Sequence, residues 1–128
     1  MIYVDTSIVL AWVLREPNAP DPGFWGLQLV TSRLTEYEAW VRLHAYDRAA
    51  ADGGALRATL MAVHTVELDA SACGRCFTPF PIPVRTLDAL HLSTADYLRA
   101  QGVQVQIATH DLRQRDAALA LGFGIWTG

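Results

Sequence analysis

The sequence predicts an α/β fold of three layers, α/β/α, around a central and mostly parallel sheet. Two observations point there. Short apolar runs at Ile2-Tyr3-Val4, at 28–31 and at 103–108 read as strands. Longer stretches of helical periodicity separate them. Strands that alternate with helices pair in parallel, and their crossovers place helices on both faces of the sheet. The length of 128 residues fits a single domain spanning residues 1–128. A chain of this size, 52% hydrophobic and 18% charged, buries enough surface to need no staple.

The elements follow in order. The first strand, Ile2 to Val4, ends at Asp5, and Thr6 or Ser7 caps a helix through Ile8, Val9, Trp12 and Val13 that stops near Arg15. Pro17 to Gly23 is a loop, and Gln28 to Thr31 is the second strand. Thr35 to Ala51 has helical periodicity, which Gly53-Gly54 is expected to end before a separate helix from Leu56 to His64. Thr65 to Leu68 reads as a short strand and Ala70 to Cys76 as a helix. Thr78 to Pro83, with three prolines, is an extended connection. Thr86 caps a helix running to about Ala100, stopped by Gly102. Val103 to Ala108 alternates as a strand, Asp111 to Leu121 is helical up to Gly122, and Gly124 to Trp126 is the last strand.

The formal net charge of −3 excludes a globally basic surface of the kind that binds nucleic acid by bulk charge. A local basic rim remains compatible with it. All ten basic residues are arginines, whose rigid fork suits phosphate, and Arg85 and Arg113 flank candidate site residues. Two cysteines, Cys73 and Cys76, cannot build a disulfide framework, and the expected setting is reduced and cytoplasmic. They lack the second ligand pair that a structural zinc needs, so a packing role is expected. The N-terminus has no basic signal-peptide region, and the longest apolar run, Ile8 to Leu14, is too short to span a bilayer.

Ligands of open α/β sheets bind beyond the carboxyl ends of the strands. Two acids fall there: Asp5 after the first strand and Asp111 after the strand ending at Ala108. Either one alone is equally well read as a helix cap. Glu38 shares a helical stripe with Leu34, Val41 and Ala45, which points it inward, whereas Glu36 lies on the opposite side. Thr35 to Glu38 also fits a capping box. Asp88 falls in the first turn of the helix opened by Thr86, and Asp96 and Asp116 read as solvated. Carboxylates converging on one cleft repel each other unless cations fill the space, and hard oxygen donors suit Mg²⁺ or Mn²⁺. Such ions assist phosphodiester hydrolysis.

At these residues the sequence resembles the PIN-domain nucleases, and among them the VapC-type toxins of toxin–antitoxin pairs. Met1-Ile2-Tyr3-Val4-Asp5-Thr6-Ser7 is similar to the family's opening strand with its first acid. The segment Thr31 to Glu38 is similar to the one that brings the family's Glu, four residues after Leu34. Arg85-Thr86-Leu87-Asp88-Ala89-Leu90-His91-Leu92 is the most specific match, and Thr109-His110-Asp111-Leu112 resembles the closing acid segment. The resemblance implies a PIN-like fold and a Mg²⁺- or Mn²⁺-dependent endoribonuclease. It implies Asp5, Asp88 and Asp111 as metal ligands, and Glu38 on a metal or on the attacking water. It also implies Ser7 or Thr109 on the substrate phosphate. Implied partners are transfer RNA or another structured RNA, a cognate antitoxin and a second copy of the chain; no membrane is implied.

Two other functions stay open at this level: a PIN-fold nuclease outside toxin–antitoxin systems, and a non-catalytic PIN-like binding module. His91, one turn after Asp88, reads as a core histidine or a neighbour of the site, His110 as facing substrate or water, and His44 and His64 as ordinary helix residues. Trp12, Trp25, Trp40 and Trp126 read as core or interface anchors.

Overall fold

Five short strands form one sheet in the computed structural model, which describes residues 1–128. They are β1 (Ile2–Val4), β2 (Leu29–Ser32), β3 (His64–Val66), β4 (Gln106–Ala108) and β5 (Gly124–Ile125). Six helices alternate with them: α1 (Thr6–Val13), α2 (Arg33–Ala45), α3 (Ala49–Met61), α4 (Ala70–Cys73), α5 (Thr86–Ala100) and α6 (Leu112–Ala120). Every strand pair is parallel, in the order β3-β2-β1-β4-β5. No helix is long and apolar enough to cross a membrane.

Side-chain alternation in the strands divides the core into two layers. Ile2, Val4, Leu29 and Ala108 join a cluster with Ile8, Val9 and Val13 of α1, Ala39 and Leu43 of α2, and Leu56 of α3. Tyr3, Val30 and Ile107 face the other way, onto Leu92 and Ala95 of α5 and Ala117 and Ala118 of α6. The sheet is thus covered on both faces, as its short apolar strands require. The four tryptophans are partly buried and pack on the α1–α3 side, with Trp12 and Trp25 ring centroids 5.7 Å apart.

The structure corrects several expected boundaries. Two helices, α2 and α3, occupy the region where the sequence suggested breaks at Gly53-Gly54. The break falls instead at 46–48, where Asp47 takes a left-handed conformation with φ of 54°. Gly53 lies inside α3 because Trp40 of α2 packs against it; a Cβ there would lie 2.8 Å from the Trp40 ring. The segment from Leu56 is therefore the second half of α3 and not a helix of its own. The buried stripe of α2 is Leu34, Thr35, Ala39 and Leu43, whereas Val41 and Ala45 are exposed. Ser32, not Thr35, caps α2, accepting from the Leu34 amide at 3.1 Å. Strand β4 is shorter than the alternation at 103–108 suggests, and α4 gives way at Gly74 to a 3-10 turn (Gly74–Phe77). Gly102 and Gly122 stop α5 and α6 as expected, both with positive φ.

Asp52, buried in the first turn of α3, ties this helix to its neighbours. Its carboxylate accepts from Arg48 Nε at 2.9 Å and Arg15 Nη1 at 3.2 Å. These two guanidiniums, Arg48 above all, hold its pKa below the usual carboxylate range.

Candidate active site

The strand order reverses direction from β1: the chain first builds outward through β2 and β3, then returns to add β4 and β5 on the other side. Such a switch point opens a crevice at the carboxyl edge of the sheet. Asp5 follows β1 directly, and Thr109 to Asp111 follow β4. The pairing of Val4 with Ala108 sets them side by side, and the Asp5 amide donates to the Ala108 carbonyl at 3.0 Å. Glu38 enters from α2 and Asp88 from the first turn of α5. Asp5, Glu38, Asp88 and Asp111 together line one cavity of about 180 Å³, with Thr6, Ser7, Arg42 and His91 beside them.

Each acid is held differently. Asp5 occupies the N-cap position of α1, yet its side chain makes no capping bond. Its Oδ2 accepts instead from Ser7 Oγ at 2.8 Å and Thr109 Oγ1 at 2.7 Å. Thus neither Thr6 nor Ser7 caps the helix as the sequence suggested, and the two hydroxyls expected to face substrate have Asp5 as partner. Ser7 Oγ also accepts from the His110 amide at 3.0 Å, which fastens the loop after β4 to α1. Asp111 does cap its helix: Oδ1 accepts from the Arg113 amide at 2.9 Å. Asp88 has no hydrogen-bond or ion-pair partner among the protein groups. Burial raises its pKa, and the neighbouring Asp111 and Asp5 raise it further. Thr86 makes no cap; Arg85 holds the N-cap position of α5 without a side-chain bond.

Glu38 is the most organised of the four. Its Oε1 accepts from Thr6 Oγ1 at 2.7 Å and lies 2.5 Å from His91 Nε2. Burial acts to raise its pKa, but the His91 hydrogen bond and charge outweigh this and hold it below the usual value. The reverse holds for His91, where burial lowers the pKa and the Glu38 hydrogen bond, together with the charges of Asp5, Glu38 and Asp88, more than compensates. The two therefore favour a charged pair. Glu36 points elsewhere and pairs with Arg33 at 2.6 Å.

Sequence reasoning did not find this network. Its only local signal is the one-turn spacing of Asp88 and His91; Tyr3, Thr6 and Glu38 reach the ring from distant segments. It also missed Arg42, which lies one turn past Glu38 and borders the same cavity. Asp96 is paired to Arg99 at 2.7 Å, and Asp116 is exposed outside this cavity. Both cysteines are free, and burial raises the Cys73 thiol, which opposes a reactive thiolate.

The donor chemistry fits a hard divalent cation. Asp5, Asp88 and Asp111 offer only oxygen, and their mutual repulsion at Asp88 marks a place where positive charge is missing. The fit is one of donor type and charge, since no three His, Cys, Asp or Glu side chains stand close enough to form a ready-made cage.

The comparisons with known proteins agree with this arrangement. The sequence matches the PIN domain over residues 2–119. It is 32% identical to Ribonuclease VapC46 of Mycobacterium tuberculosis (strain ATCC 25618 / H37Rv), covering 97% of this chain and 95% of the relative. It is 30% identical to Ribonuclease VapC35 of Mycobacterium tuberculosis (strain CDC 1551 / Oshkosh), covering 98% and 95%. With a parallel sheet clothed on both faces and the domain match running through nearly all of it, the chain belongs to the PIN domain family.

Proposed function

We propose that this protein is a metal-dependent endoribonuclease that hydrolyses phosphodiester bonds of RNA as the toxin of a toxin–antitoxin pair. The observation that carries the reading is the lining of one cavity at the switch point by Asp5, Glu38, Asp88 and Asp111, which come from four separate parts of the chain. Relatives whose names state a ribonuclease match it from end to end, which supports RNA as the substrate.

In this reading Asp5, Asp88 and Asp111 would hold Mg²⁺ or Mn²⁺. When bound, such an ion neutralises phosphate charge, acidifies water and stabilises the leaving oxygen. The protein groups do the rest. Ser7 and Thr109 fix the Asp5 carboxylate by donating to one oxygen and leave the other free of hydroxyl partners. Glu38, kept ionised by His91 and Thr6, accepts a hydrogen bond from the attacking water and orients it toward phosphorus. The first amides of α1, which lack a side-chain cap, face a phosphate oxygen.

The chain acts as one domain over residues 1–128, in the cytoplasm and as a homodimer. Transfer RNA or another structured RNA is its target, and a cognate antitoxin silences it. Brief expression of the wild type and of Asp5→Asn in bacteria, with new RNA 5′ ends mapped, tests the reading. Growth arrest with cuts in one RNA class that vanish in the variant supports it. Cuts that persist in both Asp5→Asn and Asp88→Asn sink it.

A further inference from the structure

The chain has ten arginines and no lysine. Most are engaged by other groups of the chain: Arg15 and Arg48 by Asp52, for example, and Arg99 by Asp96. Arg57 lies over the Trp40 ring. Four make no ion pair, no side-chain hydrogen bond and no ring contact: Arg42, Arg85, Arg113 and Arg115. All four are exposed.

Three of these four border the candidate site, each near one of its acids in sequence. Arg42 follows Glu38 by one turn of α2, Arg85 precedes Asp88 at the start of α5, and Arg113 follows Asp111 at the start of α6. The acidic cavity continues into a second space of about 330 Å³ lined by all three arginines together with Glu38, Asp88 and Asp111. Beyond it lies a third space, of about 360 Å³, where Arg85 and Arg113 stand with Ile82, Val84 and Asp116. Asp88 lines all three spaces, so they form one continuous groove.

A protein of net charge −3 with four acids at its centre repels a polyanion. Unpaired guanidiniums at the mouth reverse that sign locally, and their planar fork matches phosphate oxygens. We propose that Arg42, Arg85 and Arg113 clamp the phosphates of one RNA strand as it passes along this groove. Arg42 acts from the α2 wall, and Arg85 and Arg113 from the α5–α6 wall. The proposal rests on the ribonuclease reading and adds to it the path of the substrate. Arg115, free but outside the groove, serves as the internal control.

The test is binding of a short, fluorescein-labelled single-stranded RNA to Asp5→Asn protein, by anisotropy over a series of salt concentrations. Removing one arginine that neutralises a phosphate lowers the steepness of log K against log salt by about 0.7. Arg42→Ala, Arg85→Ala and Arg113→Ala should each show that decrease with little change in melting temperature, since none makes an ion pair or a side-chain hydrogen bond within the molecule. Arg115→Ala should keep the full slope. RNA binding and wild-type cleavage whose salt slope ignores the three groove arginines overturn the clamp while leaving the ribonuclease standing. Absence of both binding and wild-type cleavage overturns the clamp and the ribonuclease reading together.

Discussion

His91 Nε2 lies 2.5 Å from Glu38 Oε1, and on the far side of the same ring Nδ1 lies 2.6 Å from the Tyr3 hydroxyl. A protonated ring donates from both nitrogens, so the buried Tyr3 fixes the ring that fixes the glutamate. The chain of contacts runs from the core of the sheet to the cavity. It explains how a half-buried carboxylate stays ionised in a cavity it shares with Asp5, Asp88 and Asp111.

The pair makes stability depend on pH in a defined window. His91 has a raised folded pKa, so its contribution is complete below the unfolded value and is lost as pH rises through the folded one. Glu38 has a lowered folded pKa, so its contribution is complete above the unfolded value and is lost as pH falls through the folded one. With ordinary values of about 4.3 for Glu and 6.5 for His, the pair contributes fully between them. His91→Gln should therefore cost about 2 kcal/mol near the middle of that window, less than a fully buried pair because the Glu38 side chain keeps 24% of its exposure. The cost should shrink toward both alkaline and acidic pH. Denaturant unfolding at a series of pH values reads it, and a cost that stays flat shows that the ring packs without carrying charge.

Glu36 and Glu38 are two residues apart and do different work. Glu38 lines the cavity, whereas Glu36 pairs with Arg33 on the surface. Glu38→Gln should lower single-turnover RNA cleavage by about 10²- to 10⁴-fold, the range for a positioned acid–base group. Glu36→Gln should leave cleavage within a few-fold of wild type and cost well under about 1 kcal/mol, as a surface ion pair does. Equal losses in the two variants would remove Glu38 from the chemistry.

Asp88 is crowded by like charge and unpartnered, which gives a prediction with two signs. Burial and the charges of Asp111 and Asp5 oppose its ionisation, so Asp88→Asn should raise the melting temperature of the metal-free protein. The same substitution removes a carboxylate that a divalent ion would use. Millimolar Mg²⁺ or Mn²⁺ should stabilise the wild type by mass action and leave Asp88→Asn unmoved. Thermal melts of both proteins, in chelator and in metal, decide it. A wild type indifferent to both ions would favour a binding module over an enzyme.

The parallel sheet and the acids at its edge were legible because each rests on a local pattern. Ile2-Tyr3-Val4 followed by Asp5 carries its own strand end, and Leu87-Asp88-Ala89 sits in a helix whose start at Thr86 is legible. Contacts across the chain were not legible. His91 lies 53 positions from Glu38 and 88 from Tyr3, and nothing near any of them signals the others. Capping misled in both directions, because Asp5 holds a capping position without capping and Asp111 caps while it lines the cavity. The α2–α3 boundary was missed because its turn uses Asp47 in the left-handed region, a place where glycine is the usual signal.

Gly53 and Gly54 turn that last error into a measurement. Both stand inside α3, where glycine is disfavoured against alanine by up to about 1 kcal/mol. The cost is accepted at Gly53 because α2 and α3 approach there: an added Cβ would lie 2.8 Å from Trp40 Cη2 and 3.0 Å from Cζ3. The indole has little freedom to retreat, being packed against the α1–α3 core on one side and covered by Arg57. At Gly54 an added Cβ meets nothing within 4 Å. Gly54→Ala should therefore stabilise the protein by about 0.5–1 kcal/mol through propensity alone. Gly53→Ala should destabilise it by about 1–2 kcal/mol, overpacking outweighing the same propensity gain. Equilibrium unfolding of the two single variants gives the answer. If both substitutions stabilise, the helices do not meet at Gly53, and the packing that carries Glu38 toward the cavity must be drawn differently.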